Sequence, residues 1–512
     1  MCKGILKSIK TMKIVTKRIL SLLIAAMALC VTACDGEKTE EEVEQTPVTI
    51  SLTLSVDKVA FTAEGGIQDV AVISSVNTWD FINAATWLEV EMTDDSLTLI
   101  ASENKSTQAR KGEVVVYATE GTSRAEKIIS VEQAASGGTT SDGSLTFECP
   151  VFEQMMLESY DRDGDGIISA AEAADVTDMV LTLDETSTND PITSLKGIKN
   201  FVNLVNLDCD GNLLTSLDLS GMEKLEYVDC CYNKIKELNL NGCKSLKWVY
   251  CFVNNIDTVH LEGCDNIMFF QAYKNNLTSL NISNRPELIY LDVRLNSLRD
   301  IDFTNCPKLN VAAVGSNSLI SLNLEGLPEL YTLGCYENSI ASLDTSSLPN
   351  LEMLECYANN ISKLDLTANT KLSALTCQRN LISELTIGGT ALKKLDCSSN
   401  RLAGVLDVTA YSQLYYLHCG GNELKEVKVT TNTKLEDLSC ENTLVEALDV
   451  TFLVNLESLV ANDCLIKSLN CSKNLKLQKL YLQGNPLTSL VLAKGQTISD
   501  LKVDNPEVII YQ

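Results

Sequence analysis

The sharpest chemistry in the chain lies in one run, Asp161-Arg162-Asp163-Gly164-Asp165-Gly166-Ile167-Ile168-Ser169-Ala170-Ala171-Glu172. Calcium prefers several hard oxygens in loose geometry, and a loop of this length can wrap them around one ion. Asp161, Asp163 and Asp165 each offer a carboxylate, Ile167 its backbone carbonyl, and Ser169 a place to hold a water. Glu172 can bind with both oxygens, and Gly166 permits the sharp turn. A merely solvated acidic loop needs none of this order, so a structural Ca2+ is expected.

The run matches the EF-hand calcium loop at every ligand position. EF-hands usually pair through the apolar residue that stands here at Ile168. No second loop is visible, so Ile168 is expected to pack on the neighbouring module. The resemblance implies a static brace of extracellular affinity, with Kd on the order of 10⁻⁴ to 10⁻³ M.

No catalytic constellation accompanies it. The two histidines, His260 and His418, belong to no Ser-His-Asp or Cys-His motif, and phosphate loops and dinucleotide glycine patterns are absent. An enzyme is therefore not expected. The formal charge of −27 repels phosphate backbones, which excludes nucleic acid as a partner class.

The elements that must position any site are set by a repeat. From Leu204 onward the chain repeats every 21 residues, as in Leu225-Glu-Tyr-Val228-Asp-Cys230-Cys-Tyr-Asn233-Lys-Ile235-Lys-Glu-Leu238-Asn-Leu240. With Leu225 as position one, asparagine fills position nine at 212, 233, 254, 275, 296, 317, 338, 359 and 380. The rhythm is one residue short at Asn400 and recovers at Asn422, and Thr443, Cys464 and Asn485 then hold the same slot. This is similar to the leucine-rich repeat, in the short bacterial form called IRREKO. The fold expected is an α/β-type leucine-rich-repeat solenoid, mostly parallel strand with loops, over 179–512. About fifteen turns would stack to roughly 70 Å.

Leucines at positions one, four, six, eleven, fourteen and sixteen should fill the coil. The position-nine amide both donates and accepts, so it should run as a ladder from turn to turn. Nine cysteines occupy position six (209, 230, 251, 335, 356, 377, 397, 419, 440). Ala272, Val293 and Leu482 share that slot, which marks it as interior. Core thiols are expected there rather than a zinc cluster or disulfides.

Positions three, five and seven should face off the inner sheet, because strand side chains alternate. Position three reads Tyr227, Trp248, Phe269 and Tyr290; position five adds Tyr250; position seven adds Phe252, Tyr273 and Arg294. In a chain only 5% aromatic, this is a candidate ligand face. Rings anchor a protein partner or stack on sugars, while the bland alternative is cross-strand packing. Tyr416 and His418 form a smaller cluster further along.

Upstream, residues 48–135 carry short β-rich runs at Val70–Ile73, Trp87–Val90, Leu97–Ile100, Glu113–Tyr117 and Ile128–Val131. Gly65-Gly66, Asp94-Asp95 and Gly121 supply turns, so a small all-β sandwich is expected. Trp79, Trp87-Leu-Glu-Val90, Arg110-Lys-Gly-Glu113 and Val131-Glu-Gln-Ala134 resemble the BACON family of Bacteroidetes surface proteins. That likeness implies sugar binding; the residues themselves fit a spacer, since both tryptophans suit a core.

Residues 136–146 form a Gly/Ser/Thr-rich linker, and 147–178 hold one amphipathic helix plus the calcium loop as an N-terminal cap. Residues 1–33 look like a secretory leader, with six basic residues before an apolar run. Val31-Thr-Ala-Cys34 resembles a lipobox, which implies a lipid on Cys34. Acidic residues 34–47 form a tether and resemble the signal that sends Bacteroidetes lipoproteins to the outer face. Together these readings describe an outer-membrane lipoprotein facing the cell exterior. Its solenoid would bind a protein on the concave face, as an adhesin. The alternatives are glycan capture for polysaccharide uptake and an envelope scaffold.

Overall fold

Alternating apolar residues give the first module its sheets. The computed structural model describes residues 49–512, apart from 62–64, 77, 105, 107–108, 121–122, 134–144 and 183–189. Cys34, the leader, the tether, Gly121 and most of the linker therefore lie outside the described residues. The chain divides into two units, Met1–Ser141 and Asp142–Gln512.

The first unit contains β1 (Leu52–Leu54), β2 (Lys58–Phe61), β3 (Gly66–Ser74), β4 (Trp79–Asn83), β5 (Leu88–Met92), β6 (Ser96–Ala101), β7 (Arg110–Glu120) and β8 (Ser123–Gln133). They form two four-stranded sheets, ordered β1-β3-β6-β5 and β2-β8-β7-β4. Val70, Leu97 and Leu99 from one sheet meet Val114, Val116, Ile129 and Val131 from the other in one core. The five runs expected as strands fall on β3, β5, β6, β7 and β8, with Trp87 in the turn just before β5; β1, β2 and β4 are too short or too weakly patterned to stand out.

Packing explains the residues that carried the family likeness. The Arg110 guanidinium lies 4.5 Å from the centre of the Trp87 ring. Arg110 Nε also donates to Gln133 Oε1 at 2.8 Å, and Gln133 is buried. Gly112 must be glycine, since a Cβ there would sit 2.5 Å from that of Ala85. Trp79 packs against the core and donates Nε1–H to the Asp94 carbonyl at 3.1 Å.

The second unit opens with α1 (Pro150–Tyr160), which starts at proline because the first helical N–H has no partner to lose. Phe152 and Met156 are its buried face. The acidic loop and α2 (Ala170–Ala174) follow. A strand at Asp178–Val180 then pairs in parallel with Asn206–Asp208 and starts a sheet of 16 strands that ends at Asp500–Lys502. Each turn contributes positions three to five, in unbroken register from Tyr227 to Trp248, Phe269 and Tyr290. Shorter parallel sheets run on the opposite wall, for example Ser216–Asp218 with Glu237–Asn239 and Thr258–His260. His260 stands in this outer row, its Nε2 3.2 Å from Glu237 Oε1.

One apolar core runs through the whole solenoid, with Ile168 of the acidic loop inside it. Two polar ladders hold the turns in step. In the first, Asn233 Nδ2 donates to the carbonyls of Cys209 (3.0 Å) and Cys230 (3.2 Å), while Oδ1 accepts from Leu214 N–H at 2.9 Å. Asn254, Asn275, Asn296, Asn317, Asn338 and Asn359 repeat this arrangement.

The second ladder, at position nineteen, was not read from the sequence. Cys243, Cys264, Arg285, Cys306, Asn369, Tyr411, Asn432 and Asn474 each donate to a carbonyl 24 residues earlier. The rhythm change has a local cause as well. The short turn passes through Gly388, where a Cβ would lie 2.2 Å from the Thr367 carbonyl oxygen. The residue regained appears as a register shift at Gly404/Val405.

Candidate functional site

The acidic loop brings three of its expected ligands together. One carboxylate oxygen each from Asp161, Asp163 and Asp165 lie within 4.8 Å of one another. Asp161 accepts from the N–H groups of Gly164 (2.7 Å) and Gly166 (2.9 Å), which curls the loop inward. This donor set of hard oxygens suits calcium. Ser169 and Glu172 take a further role: they form a capping box at the start of α2. Glu172 also accepts from Arg162 N–H at 2.7 Å and from Ser169 N–H at 2.9 Å. These bonds, the one from Arg162 foremost, hold its pKa at about 2.

All the described cysteines are free and buried. Burial raises the thiols of the position-six column, Cys335 to about 12, and at Cys440 a hydrogen bond with Cys464 raises the thiol ahead of burial. Protonated, enclosed sulfurs pack as small apolar groups and make poor metal ligands.

The inner wall holds the aromatic residues, but not all in the open. Position five, expected to project outward, forms a floor instead: Asp229, Tyr250, Gln271 and Asp292 are all buried. Large side chains at positions three and seven lean over it. Tyr227 lies 5.7 Å from Tyr250, centre to centre. Tyr227, Trp248, Phe269 and Tyr290 remain half-buried, with Phe269 and Tyr290 stacked at 6.3 Å.

Position seven forms a continuous row. Phe252 and Tyr273 stack at 4.6 Å with planes 11° apart; Tyr336 and Tyr357 stack at 4.6 Å and 4°. Between these pairs stands Arg294, 5.9 Å from the Tyr273 ring and in contact with Tyr336. Gly315 leaves the room this contact needs, since a Cβ there would fall 2.7 Å from the Tyr336 ring. Arg294 clamps Asp292 with two bonds, Nε to Oδ1 at 2.9 Å and Nη2 to Oδ2 at 2.7 Å. It thus joins two ring stacks and neutralises a fully enclosed carboxylate; the sequence placed it only as a ligand contact.

Rings stacked at van der Waals distance spend their faces on each other and offer edges to a partner. Burial also raises the Tyr273 and Tyr290 phenols, so both keep their O–H protons. In the floor, Gln271 Oε1 meets no donor among the described residues. The first turns add Asp208, Asp210 and Asp229, whose carboxylates lie within 4.8 Å of one another. Further along, Tyr416 and His418 stack at 4.1 Å, as one cluster.

Comparisons with known proteins agree with this architecture. Residues 77–134 match the BACON family, described as "Putative binding domain, N-terminal". No curated protein matches the chain. The functional domain of InlJ from Listeria monocytogenes, described as including a cysteine ladder, is 27% identical, with a TM-score of 0.57 over 64% of this chain and 71% of that one. YopM, a leucine-rich effector protein from Yersinia pestis, is 21% identical and shares the fold, with a TM-score of 0.53 over 72% of this chain and 95% of that one. The chain is a parallel-strand leucine-rich-repeat solenoid of about fifteen turns, preceded by a small β-rich BACON domain.

Proposed function

We propose that this chain is a lipid-anchored surface protein that binds a protein partner through the inner wall of its solenoid. The observation that carries the reading is the strip from Tyr227 to Arg294: half-buried rings that present edges and hydroxyls above a polar floor. Large, rigid aromatic groups with few rotamers are the usual anchors of protein interfaces. The likeness to the functional domain of InlJ supports a binding role. Glycan capture by ring stacking fits less well, because the paired rings have little free face.

The double variant Trp248→Ala/Tyr290→Ala tests this. The mature chain should retain a partner from a surface-protein extract, and the variant should lose about 3 kcal/mol of affinity, roughly 100-fold. Its circular dichroism spectrum should stay unchanged. Equal retention by both proteins would remove the strip from the reading.

The acidic loop is assigned a structural calcium, held by Asp161, Asp163, Asp165, Ile167, Ser169 and Glu172. It would brace the cap of the solenoid, because Ile168 belongs to the same core. Calcium at a hundredfold over its Kd should add about 2.7 kcal/mol to stability. Chelation should therefore lower the melting temperature, and Asp163→Ala should abolish the response. An unchanged melting curve would rule the brace out.

The anchor is placed on Cys34, at the outer membrane and facing the exterior. Among the described residues, no helix is long and apolar enough to cross a membrane. Protease treatment of intact cells should remove the solenoid; full protection would place it inside.

A further inference from the structure

After the inner-wall strands of the repeat the chain bends at position eight, one residue before the asparagine column. The backbone there is left-handed, with φ of 52° at Tyr232, 54° at Val253, 58° at Lys274 and 55° at Leu295. Glycine fills the slot at 211, 421 and 484, and Asn442 and Asp463 fill it in two other turns. These residue types reach that conformation at the least cost. The turns from Ser316 to Ser399 place small or polar residues there. Among the described residues, large apolar side chains stand in this column only at 232, 253 and 295.

These three residues suit neither the backbone nor the solvent. Left-handed backbone strongly disfavours a β-branched side chain, yet Val253 adopts it. Tyr232 is 55% exposed and Leu295 53%, so the strain returns little packing. A local preference overridden without a gain in packing marks a position selected for something other than the fold.

The column continues the aromatic strip onto the rim of the wall. Tyr232 N–H donates to the Phe252 carbonyl at 3.2 Å, Val253 N–H to Tyr273 at 3.0 Å, Lys274 N–H to Arg294 at 2.9 Å and Leu295 N–H to Gly315 at 3.2 Å. The four residues therefore stand one above another, about 4.8 Å per turn and roughly 14 Å in all. The Tyr232 ring meets that of Phe252 edge-on, 5.5 Å between centres. Two cations share this rim: Lys274 within the row, and Lys234 two residues past Tyr232. Both are exposed, and neither ammonium has a partner among the described residues. Lys244 and Lys247, by contrast, reach Glu223 at 2.6 Å and Glu226 at 2.9 Å. In a chain of 68 acidic and 41 basic side chains, unpaired lysines beside exposed apolar groups leave an acidic partner to be supplied from outside.

We propose that this rim, formed by Tyr232, Val253, Lys274 and Leu295 with Lys234, docks a segment of the protein partner that carries both apolar and acidic side chains. The apolar groups of that segment cover Tyr232, Val253 and Leu295, and its carboxylates meet the two ammoniums. A basic segment would be repelled, and an uncharged one would strip water from the lysines without pairing them. The proposal rests on the protein-partner reading and extends it from the inner wall to its edge.

Panning the mature chain against a displayed library of random dodecapeptides tests it. The peptides recovered should combine leucine, isoleucine or phenylalanine with aspartate or glutamate. Val253→Gly/Leu295→Asn should weaken them at least tenfold yet melt no lower than the parent, because both new residues suit left-handed backbone. Lys234→Glu/Lys274→Glu should turn the selection toward basic peptides. Recovery of no peptide, of peptides without acidic residues, or of peptides indifferent to the rim variants overturns the proposal. So does a lower melting temperature in Val253→Gly/Leu295→Asn, which would make the pair packing residues. A second copy of the chain as occupant would appear in sedimentation as a dimer that Leu295→Asn dissolves, and it overturns the partner class. Peptides lost only in Trp248→Ala/Tyr290→Ala sink the rim and keep the strip; peptides lost only in the rim variants support the rim and count against the strip.

Discussion

Asn359→Leu lowers the free energy of unfolding by about 2–4 kcal/mol, whereas Asn360→Leu, one residue on, changes it by less than about 0.5 kcal/mol. The two side chains have the same chemistry and differ in what surrounds them. Asn359 is buried; its Nδ2 donates to the carbonyls of Cys335 (3.0 Å) and Cys356 (3.2 Å), and its Oδ1 accepts from Ile340 N–H at 2.9 Å. Asn360 is exposed. Leucine keeps the branched four-heavy-atom skeleton of asparagine and is larger, so the substitution opens no cavity and the loss is chiefly polar. It strands the Ile340 N–H inside the coil, at about 1–3 kcal/mol for a buried group left unpaired, and the lost bonds to Cys335 and Cys356 add about 1 kcal/mol, since both carbonyls still accept from Asn338 and Asn380. Each turn touches only its neighbours, so the damage should be local. Hydrogen exchange should accelerate first at Ile340, and urea denaturation should report the total. A loss below about 1 kcal/mol would mean that the asparagine column fills space rather than satisfying backbone.

That column was legible because a single residue type recurs in a single slot. The 21-residue period located the strands, the leucine core and the cysteine column, and it placed Trp248 and Tyr290 on one wall. The second ladder obeys the same period and escaped notice. Its members are thiol, amide, guanidinium and phenol, and they share only a donor aimed at a carbonyl 24 residues back. A scan for residue identity cannot see a column defined by hydrogen-bonding capacity. A scan for donors would have found Cys243, Cys264 and Cys306 in step with Asn369, Asn432 and Asn474.

Side-chain direction was the other limit. Alternation along a strand says that Tyr250 and Asp292 face the inner wall. It does not say that their neighbours cover them. Whether a ring offers its face or its edge depends on rotamers chosen by the next turn, as when Phe252 and Tyr273 stack 11° from parallel. The Ser169–Glu172 capping box, by contrast, was readable from its Ser-x-x-Glu spacing. The calcium pattern, which uses the same two residues, stood in front of it.

Asp292→Leu should cost about 2–4 kcal/mol, and Asp292→Leu/Arg294→Met together should return stability to within about 1 kcal/mol of the parent. The carboxylate is fully enclosed, with 0% of its side chain exposed, while the Arg294 side chain keeps 26%. Burial alone would lower the Arg294 pKa, but the Asp292 bonds outweigh it and raise the value. Removing the acid leaves a guanidinium among rings without its counter-charge, although its partial exposure lets water recover some of the loss. Removing both charges leaves apolar side chains of similar length in an already aromatic row. A double-mutant cycle isolates the coupling, and an Asp292→Leu variant as stable as the parent would show that the rings and solvent suffice for Arg294. The paired substitution also separates stability from binding. It keeps Phe252, Tyr273, Tyr336 and Tyr357 but removes the charged joint between the two stacks. If the joint fixes the ring edges in the geometry a partner reads, the double variant should bind more weakly while melting like the parent.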